Sequence, residues 1–257
     1  MAAIIERVPG AQIKNQEERL QRFLKERNVI SVEITPNLNC DGTLEPIGST
    51  FAEGFRMRIN NNAPHSRARF SVAHEVCHTF FYELVPEIKF RAHGRDDQEE
   101  RLCNFGAAVL LIPAKPLRAT ARKMPVCLTS LERLAQDYCV SLPTMLIRLK
   151  SLGLWDCELS NWYRNVGGGF ALDRLYGGRQ VEWVWHDPFQ LERAWHSSAS
   201  VFGTGFVYLT DPHGVRRYKP ISYNMRRTAA GVTTLWGVGI RRPARILPLL
   251  ESERGRR

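Results

Sequence analysis

The chain has 257 residues, of which 44% are hydrophobic and 24% are charged, a composition typical of a globular protein large enough for one or two cores. No apolar run approaches the roughly 20 residues that cross a bilayer, and the first residues lack the basic start and long apolar centre of a signal peptide. The sequence therefore argues against a membrane partner, and we expect a cytoplasmic protein.

The spacing of the cysteines and the distribution of charge indicate the redox state of the thiols and the kind of partner that the protein could bind. The six cysteines include no Cys-x-x-Cys pair, which favours reduced thiols that pack as small hydrophobic side chains. The formal charge is +10, and residues 160–257 hold 15 lysines and arginines against 7 acidic residues, a difference of +8 that leaves +2 for residues 1–159. Basic surfaces attract nucleic acids or acidic proteins, so we expect any nucleic-acid contact to lie in the C-terminal region.

The first elements predict a helix followed by a small sheet. Residues 16–27 place three apolar side chains on one side of an amphipathic helix. Residues 28–35 and 55–60 alternate apolar and polar side chains, which predicts two strands. The edge of such a sheet can bind an extended peptide as an additional strand.

A His-Glu-x-x-His motif follows on a segment with helical character. Because a helix rises about 1.5 Å per residue, His74 and His78 lie about one turn apart, and their imidazoles can converge on one tetrahedral zinc ion. Glu75 lies beside them, where its carboxylate can take a proton from water and pass it to a leaving amine. The alternative is an amphipathic helix that holds two histidines by chance. Arg67 and Arg69 are interpreted as solvated residues at the start of this helix.

A third ligand decides what kind of zinc site this is, since a catalytic site keeps three protein ligands and a structural site has four. The metzincin continuation is absent, because the Gly and His that it requires do not follow the motif. Residues 97–113 predict a second helix, with an acidic first turn and a terminal proline. On it we expect Glu100 to bind the metal and Asn104, one turn later, to accept the outer N–H of a ligand histidine. Glu99 is interpreted as an ordinary charge at the start of the helix.

A peptidase also needs a donor for the oxyanion that forms on the scissile carbonyl. Tyr82 follows His78 by four residues on the same helix face, so its phenol could reach the rim of the site. His93 lies in the short connection before the second helix. Both are candidates for this role, although Tyr82 is equally suited to packing and a loop histidine is often only exposed.

Three stretches of the chain together resemble the ImmA/IrrE-type zinc metallopeptidases, namely residues 70–78, 100–104 and 108–113. The resemblance implies a gluzincin-like fold and a protease that cuts a helix-turn-helix repressor of stress-response or mobile-element genes. Members place Phe two residues after the Asn and often a His shortly after the first motif. This chain departs from that pattern at Phe105 and at residues 79–82.

The next segment is basic and then helical. Residues 113–125 are interpreted as a basic connection marked by prolines. Residues 129–138 and 143–152 predict two short helices about a tight turn, which resemble a helix-turn-helix. The outer face of the second helix carries chiefly Arg148 and Lys150, fewer polar groups than a DNA-reading helix needs. We therefore favour a structural or repressor-docking role for this pair over DNA reading.

Beyond residue 160 the sequence becomes aromatic and rich in strand patterns. Alternating segments predict strands at 181–185, 205–210 and 233–240, and residues 189–196 predict a short helix. This region has the size of a separate α+β domain of about 100 residues. No motif in it identifies a ligand.

The sequence thus predicts an α+β protein with three parts: a zincin-like metallopeptidase domain at 1–125, a helix-turn-helix-like segment at 126–159, and a basic, aromatic-rich sensor or docking domain at 160–257. We expect a zinc-dependent endopeptidase, with the ligands and base named above, that cleaves a specific helix-turn-helix repressor. The alternative is a non-proteolytic regulator, or a DNA- or ligand-binding protein, whose zinc site is structural and is closed by Cys77, Cys103 or another histidine.

Overall fold

The computed structural model describes residues 16–36, 38–83, 97–177, 181–185, 188–210, 216–229, 231–237 and 240. The chain divides into two compact units, residues 1–124 with 129–156 and residues 125–128 with 157–257. Up to residue 156 the described elements are α1 (Gln16–Glu26), β1 (Val29–Thr35), β2 (Gly42–Pro46), a 3₁₀ turn (Phe51–Glu53), β3 (Phe55–Asn60), α2 (His65–Glu83), α3 (Asp97–Leu111), α4 (Ala114–Ala121), α5 (Leu128–Asp137) and α6 (Leu142–Ser151).

Helix α1 is the amphipathic helix expected at the start of the chain. It buries Leu20, Phe23 and Leu24, and its acidic first turn and Lys25 in the last turn complement the helix dipole. Asn28 follows with φ 55, a left-handed conformation that a short polar side chain tolerates. The chain therefore turns directly from α1 into β1.

A three-stranded sheet in the order β1, β3, β2 supports the first unit, with β1 parallel and β2 antiparallel to β3. In β3, Phe55, Met57 and Ile59 are buried whereas Arg56 between them is exposed. Because side chains alternate along a strand, one face of the sheet belongs to the core. Helix α2 contacts β2 and β3, and the Tyr82 ring lies 5.3 Å from the Phe55 ring.

Helices α2 and α3 pack against each other. Helix α2 begins after Pro64, whose carbonyl accepts the backbone N–H groups of Arg67 and Ala68 at 2.8 and 2.9 Å. In α3 the small residues Gly106 and Ala107 are buried, so the two helix backbones can approach closely. This approach brings the motif on α2 and the acidic start of α3 together.

The segment 113–125 contains a helix, so the interpretation of it as a plain connection was wrong. Helix α4 is anchored by Leu117 and Ala121, which are 0% and 1% exposed. Pro116 lies in its first turn, where a missing backbone N–H breaks no helical hydrogen bond. Proline is therefore compatible with this helix, although in sequence it usually marks a break.

Helices α5 and α6 are the predicted pair, and they meet at a turn in which Cys139 has φ 50. Ser141 caps α6 by accepting the backbone N–H of Thr144 at 3.3 Å. Arg148 is 3% exposed, and its Nε donates to the carbonyl oxygen of Ile112 at 3.0 Å. This guanidinium joins α6 to the end of α3 and, being buried, is not available to contact DNA.

Arg69 fastens α2 to the end of α5. Its side chain is buried, and its Nη1 donates to the carbonyl oxygens of Tyr138 and Cys139 at 3.0 and 3.3 Å. Arg67, two residues earlier, is 63% exposed and pairs with Asp41 at 2.8 Å. The interpretation as a solvated helix-start residue therefore fits the exposure of Arg67 and was wrong for Arg69.

The second unit is built on one antiparallel sheet with the strand order β5, β4, β9, β8, β7, β6. Its elements are β4 (Glu158–Arg164), β5 (Phe170–Tyr176), β6 (Val181–Trp185), α7 (Pro188–His196), β7 (Val201–Thr210), β8 (Arg216–Thr228) and β9 (Gly231–Gly237). Helix α7 packs on β7, β8 and β9. Trp162, Tyr223 and Trp236 are buried in the core beneath it, so these aromatic side chains stabilise the unit.

The predicted α+β class is confirmed by the two sheets and their packed helices. No helix in the described ranges is both long enough and apolar enough to cross a membrane.

Candidate metal centre

The two histidines of the motif face one another across one turn of α2. The Nε2 atoms of His74 and His78 are 3.1 Å apart. His78 is fully buried, and the side chain of His74 is 12% exposed. The pair therefore presents two nitrogen donors at the wall of the protein, with one of them reachable from solvent.

Glu100 on α3 completes the set of donors. Its Oε2 lies 3.1 Å from Nε2 of His74, and its Oε1 lies 3.5 Å from Nε2 of His78. Two ligands that are each about 2.0–2.1 Å from a tetrahedral zinc ion stand about 3.3–3.4 Å apart. The two nitrogens and the Glu100 carboxylate, each oxygen near a different nitrogen, therefore lie at about the spacing of ligands around one four-coordinate metal, and the residues fit such an ion.

The outer nitrogens of both rings are held by acceptors from α3. Nδ1 of His74 lies 3.1 Å from Oδ1 of Asn104, as the sequence led us to expect, and Nδ1 of His78 lies 2.8 Å from Oε1 of Glu99. A carboxylate only accepts hydrogen bonds, so Nδ1 of His78 carries the proton and its Nε2 lone pair faces the centre. Such partners orient metal-binding histidines and raise their basicity.

Glu99 was misinterpreted as an ordinary helix-start charge. It is 7% exposed and contacts a buried histidine. The signal available in the sequence was its position next to Glu100: adjacent residues on a helix point about 100° apart, so both carboxylates can reach the same pair of histidines from one turn.

Glu75 lies beside the centre and is 4% exposed. One of its carboxylate oxygens is within 4.8 Å of the ligand nitrogens of both histidines, so two carboxylates border the site. The two carboxylate oxygens of Glu100 lie near the two Nε2 atoms, whereas the Glu75 side chain lies against β2. A Cβ on Gly42 would lie 3.0 Å from Cγ and 3.4 Å from Oε1 of Glu75. This packing holds the Glu75 carboxylate next to the donors and suits it to be a base.

The centre opens into a cleft of about 470 Å³. One wall is formed by residues 40–43, at the start of β2, and the others by α2 and α3 through Phe70, Ser71 and Asn104. Among the described strands, β2 pairs only with β3, so no described strand occupies its other backbone edge beside the cleft. An extended peptide that paired with this edge would pass the metal donors.

Of the two candidates for oxyanion stabilisation, the structure describes Tyr82 but not His93. Tyr82 is 3% exposed and packs on Phe55, and the described residues that line the cleft do not include it. Tyr82 is therefore a packing residue of the core and does not lie at the rim of the site. His93 lies outside the described residues.

The cysteines near the motif are not on the metal side. Cys77 is fully buried, and burial raises the pKa of its thiol to about 12, so the thiol is protonated near neutral pH when no metal is bound. Cys103 lies 3.3 Å from Nδ1 of His78, which is the nitrogen that faces away from Glu100. Among the described residues, no cysteine joins the group of potential metal ligands.

Comparison with known proteins finds a family whose model covers the His-Glu-x-x-His motif. The family model of the IrrE N-terminal-like domain, peptidase M78, matches residues 48–150. Among solved structures, a Mycobacterium tuberculosis transcriptional regulator is similar, with 14% identity and a TM-score of 0.53 over 91% of this chain and 74% of that chain. At this identity the likeness concerns the fold alone. No curated protein matches the sequence.

The matched range contains all the residues of the centre, from the motif on α2 to Asn104 on α3. The resemblance to the ImmA/IrrE-type metallopeptidases is thereby confirmed, and the fold holds a His-Glu-His group able to bind a metal. Residues 48–150, which include the metal centre, are thus similar to the IrrE N-terminal-like domain of peptidase M78.

Proposed function

We propose that this protein is a zinc-dependent endopeptidase that cleaves one specific protein target, a helix-turn-helix transcriptional repressor. The observation that carries the proposal is the convergence of His74, His78 and Glu100 on one point at the wall of an open cleft, with Glu75 beside it. Three protein donors leave a tetrahedral ion one position for water or substrate, as in catalytic zinc sites.

Each residue has a defined task in this proposal. A bound zinc ion would polarise the scissile carbonyl and acidify water. Glu75 takes the proton from the attacking water and passes it to the leaving amine. Glu99 and Asn104 hold the two imidazoles in the tautomer that points Nε2 at the metal. The edge of β2 beside the cleft aligns the substrate as an added strand.

The substrate class follows from the family resemblance. Members of this type cut repressors that control stress-response, mobile-element or phage-related genes, so a repressor encoded beside this protein is the natural target. An open metal site needs specificity from surfaces outside the ligands. The α5–α6 pair and the second unit are the candidates for docking the repressor or sensing a signal.

The direct test compares the wild-type chain with Glu75→Gln. Each purified protein, loaded with zinc, is incubated with the neighbouring repressor, and the products are identified by intact-mass spectrometry. We expect one cut by the wild type, no turnover by Glu75→Gln, and equal zinc content in both. Glu33→Gln is the matched control, because its carboxylate is about half exposed on β1 and pairs with Arg56 away from the cleft; it should cleave normally.

Two results would contradict the proposal. Equal cleavage by Glu75→Gln and the wild type would remove Glu75 as the base. Cleavage of many unrelated proteins would remove the single target. The non-proteolytic alternative, a regulator with a structural metal, predicts instead that the repressor stays intact with every variant, while zinc removal still changes its binding.

A further inference from the structure

Helix α4 presents a row of cations that the proposed peptidase does not use. An open depression of about 460 Å³ is lined by Lys115, Arg118 and Arg122, together with Ala114 and Ala119. Lys115 and Arg122 are exposed and Arg118 is partly exposed. The opposite side of α4 is fixed in the core by Leu117 and Ala121, so the orientation of the row is set by the fold. We call these three cations the α4 row.

The sequence around the α4 row lacks acidic residues. Between Glu100 and Glu132 the sequence has five lysines and arginines and no Asp or Glu. Within the described part of the chain, none of the three cations forms an ion pair, whereas exposed arginines elsewhere do, such as Arg22 with Glu26 at 3.1 Å. The row therefore keeps its full positive potential towards solvent.

The spacing of the row suits a phosphate backbone. With a rise of about 1.5 Å per residue, the seven steps from Lys115 to Arg122 span about 10 Å. One strand of duplex DNA carries a phosphate about every 3.4 Å along its axis, so the row covers about three successive phosphates. Backbone contacts of this kind position a protein on DNA without reading its sequence.

The rest of the lining favours duplex DNA over other partners. Protein partners are held by aromatic or large apolar anchors, and single strands by aromatic side chains on which bases stack. The described residues of the depression include neither: they are the three cations and two alanines. A surface that offers charge alone fits a polyanion of regular charge spacing.

We infer that the α4 row is a sequence-independent contact for the backbone of duplex DNA, in the first unit rather than in the basic C-terminal region where the sequence suggested such a contact. The inference stands apart from peptidase activity. If the proposed target is a DNA-bound repressor, this contact would bring the two proteins onto the same duplex.

The test measures the salt dependence of binding to a fluorescein-labelled random-sequence duplex of about 20 base pairs, by anisotropy, with the full chain. Binding that neutralises phosphates weakens as log salt rises, with a slope of about −0.9 per contact. The patch variant combines Lys115→Gln, Arg118→Gln and Arg122→Gln. We expect its slope between about 50 and 200 mM salt to be shallower than that of the wild type by about 2–3.

The control variant combines Arg22→Gln, Lys25→Gln and Arg56→Gln, which removes the same charge from exposed positions outside the row. It should change the slope by less than about 1. Thermal melting of both variants checks that each is folded. Equal losses in the two variants, which would indicate a net-charge effect, would overturn the inference, as would no duplex binding by the wild type at about 50 mM salt. Displacement of the duplex by polyglutamate at equal charge concentration would assign the row to an acidic protein partner instead.

Discussion

At the scale of single residues, two adjacent carboxylates have different neighbours. Glu100 faces the Nε2 atoms of both histidines at 3.1 and 3.5 Å, and Glu99 faces Nδ1 of His78 at 2.8 Å. Helical geometry separates the two directions, because consecutive residues are rotated by about 100°. One turn of α3 therefore places one carboxylate at the two Nε2 atoms and another at the outer nitrogen of His78.

The role of Glu99 predicts a loss of metal affinity. Glu99→Ala should weaken zinc binding by about 10–100-fold, since His78 loses the acceptor that fixes its ring. Competition with a chromogenic chelator measures this. Asp97→Ala is the matched control, because Asp97 is an exposed acid in the same first turn of α3. Equal zinc affinities of the two variants would show that Glu99 acts only as a charge at the start of the helix.

Gly42 determines how closely β2 lies against Glu75. A Cβ at this position would be 3.0 Å from both Cγ of Glu75 and Cδ1 of Ile59, closer than side-chain carbon atoms normally pack. The absence of a side chain therefore lets the edge strand, and a peptide bound to it, lie next to the base.

Substitution of Gly42 should accordingly affect turnover rather than metal binding. Gly42→Ala should displace Glu75 by a few tenths of an ångström, and since a misplacement of about 1 Å can cost about 100-fold in rate, we expect kcat to fall by up to about tenfold. Steady-state kinetics and zinc analysis of the same preparation separate the two properties. Gly167→Ala is the control, since the nearest atom to its added Cβ would be 3.7 Å away. An unchanged kcat would show that Gly42 does not position the base.

At the scale of elements, α2 carries the motif and is held at its start by Arg69. The guanidinium donates to the carbonyls of Tyr138 and Cys139, the two residues that directly follow α5. The carbonyls at a helix end have no partner within the helix, so Arg69 satisfies groups that would otherwise be buried and unpaired. The α5–α6 pair is thereby coupled to the helix of the metal centre.

This coupling predicts a stability difference between neighbouring arginines. Arg69→Ala should lower the free energy of unfolding by about 1–3 kcal/mol, the usual effect of leaving buried polar groups unsatisfied. Arg67→Ala should cost at most about 1 kcal/mol, because its ion pair with Asp41 is largely exposed. Urea denaturation of the full-length variants measures both values. Equal effects would mean that the Arg69 contacts add nothing beyond a surface charge.

The elements also show where sequence reasoning succeeded and failed. The two metal helices were predictable because a spaced motif and an acidic helix start are local signals. Strand β2 was not, since Gly42 and Pro46 at its ends are turn residues in sequence; its pairing with β3 is a tertiary effect. Helix α4 was missed at Pro116. Among the charged residues, local sequence could not separate Glu99 and Arg69 from solvated ones, because their partners lie 21 and 69 positions away.

At the scale of the whole molecule, every described residue of the metal centre belongs to the first unit. The second unit has its own core around Trp162 and Trp236 and most of the net charge, since 15 lysines and arginines against 8 acidic residues give it +7 of the total +10. The candidate metal centre therefore belongs to one unit and most of the positive charge to the other.

The proposed function depends on an open metal site with three protein ligands. Anomalous diffraction at the zinc absorption edge, from crystals of the purified full chain, tests it most directly. We expect one zinc ion bound by Nε2 of His74 and His78 at about 2.0–2.1 Å, by Glu100 at about 2.0–2.2 Å, and by one solvent molecule. A fourth protein ligand in place of that solvent molecule, or a zinc ion that Glu100 does not contact, would rule out this three-ligand site.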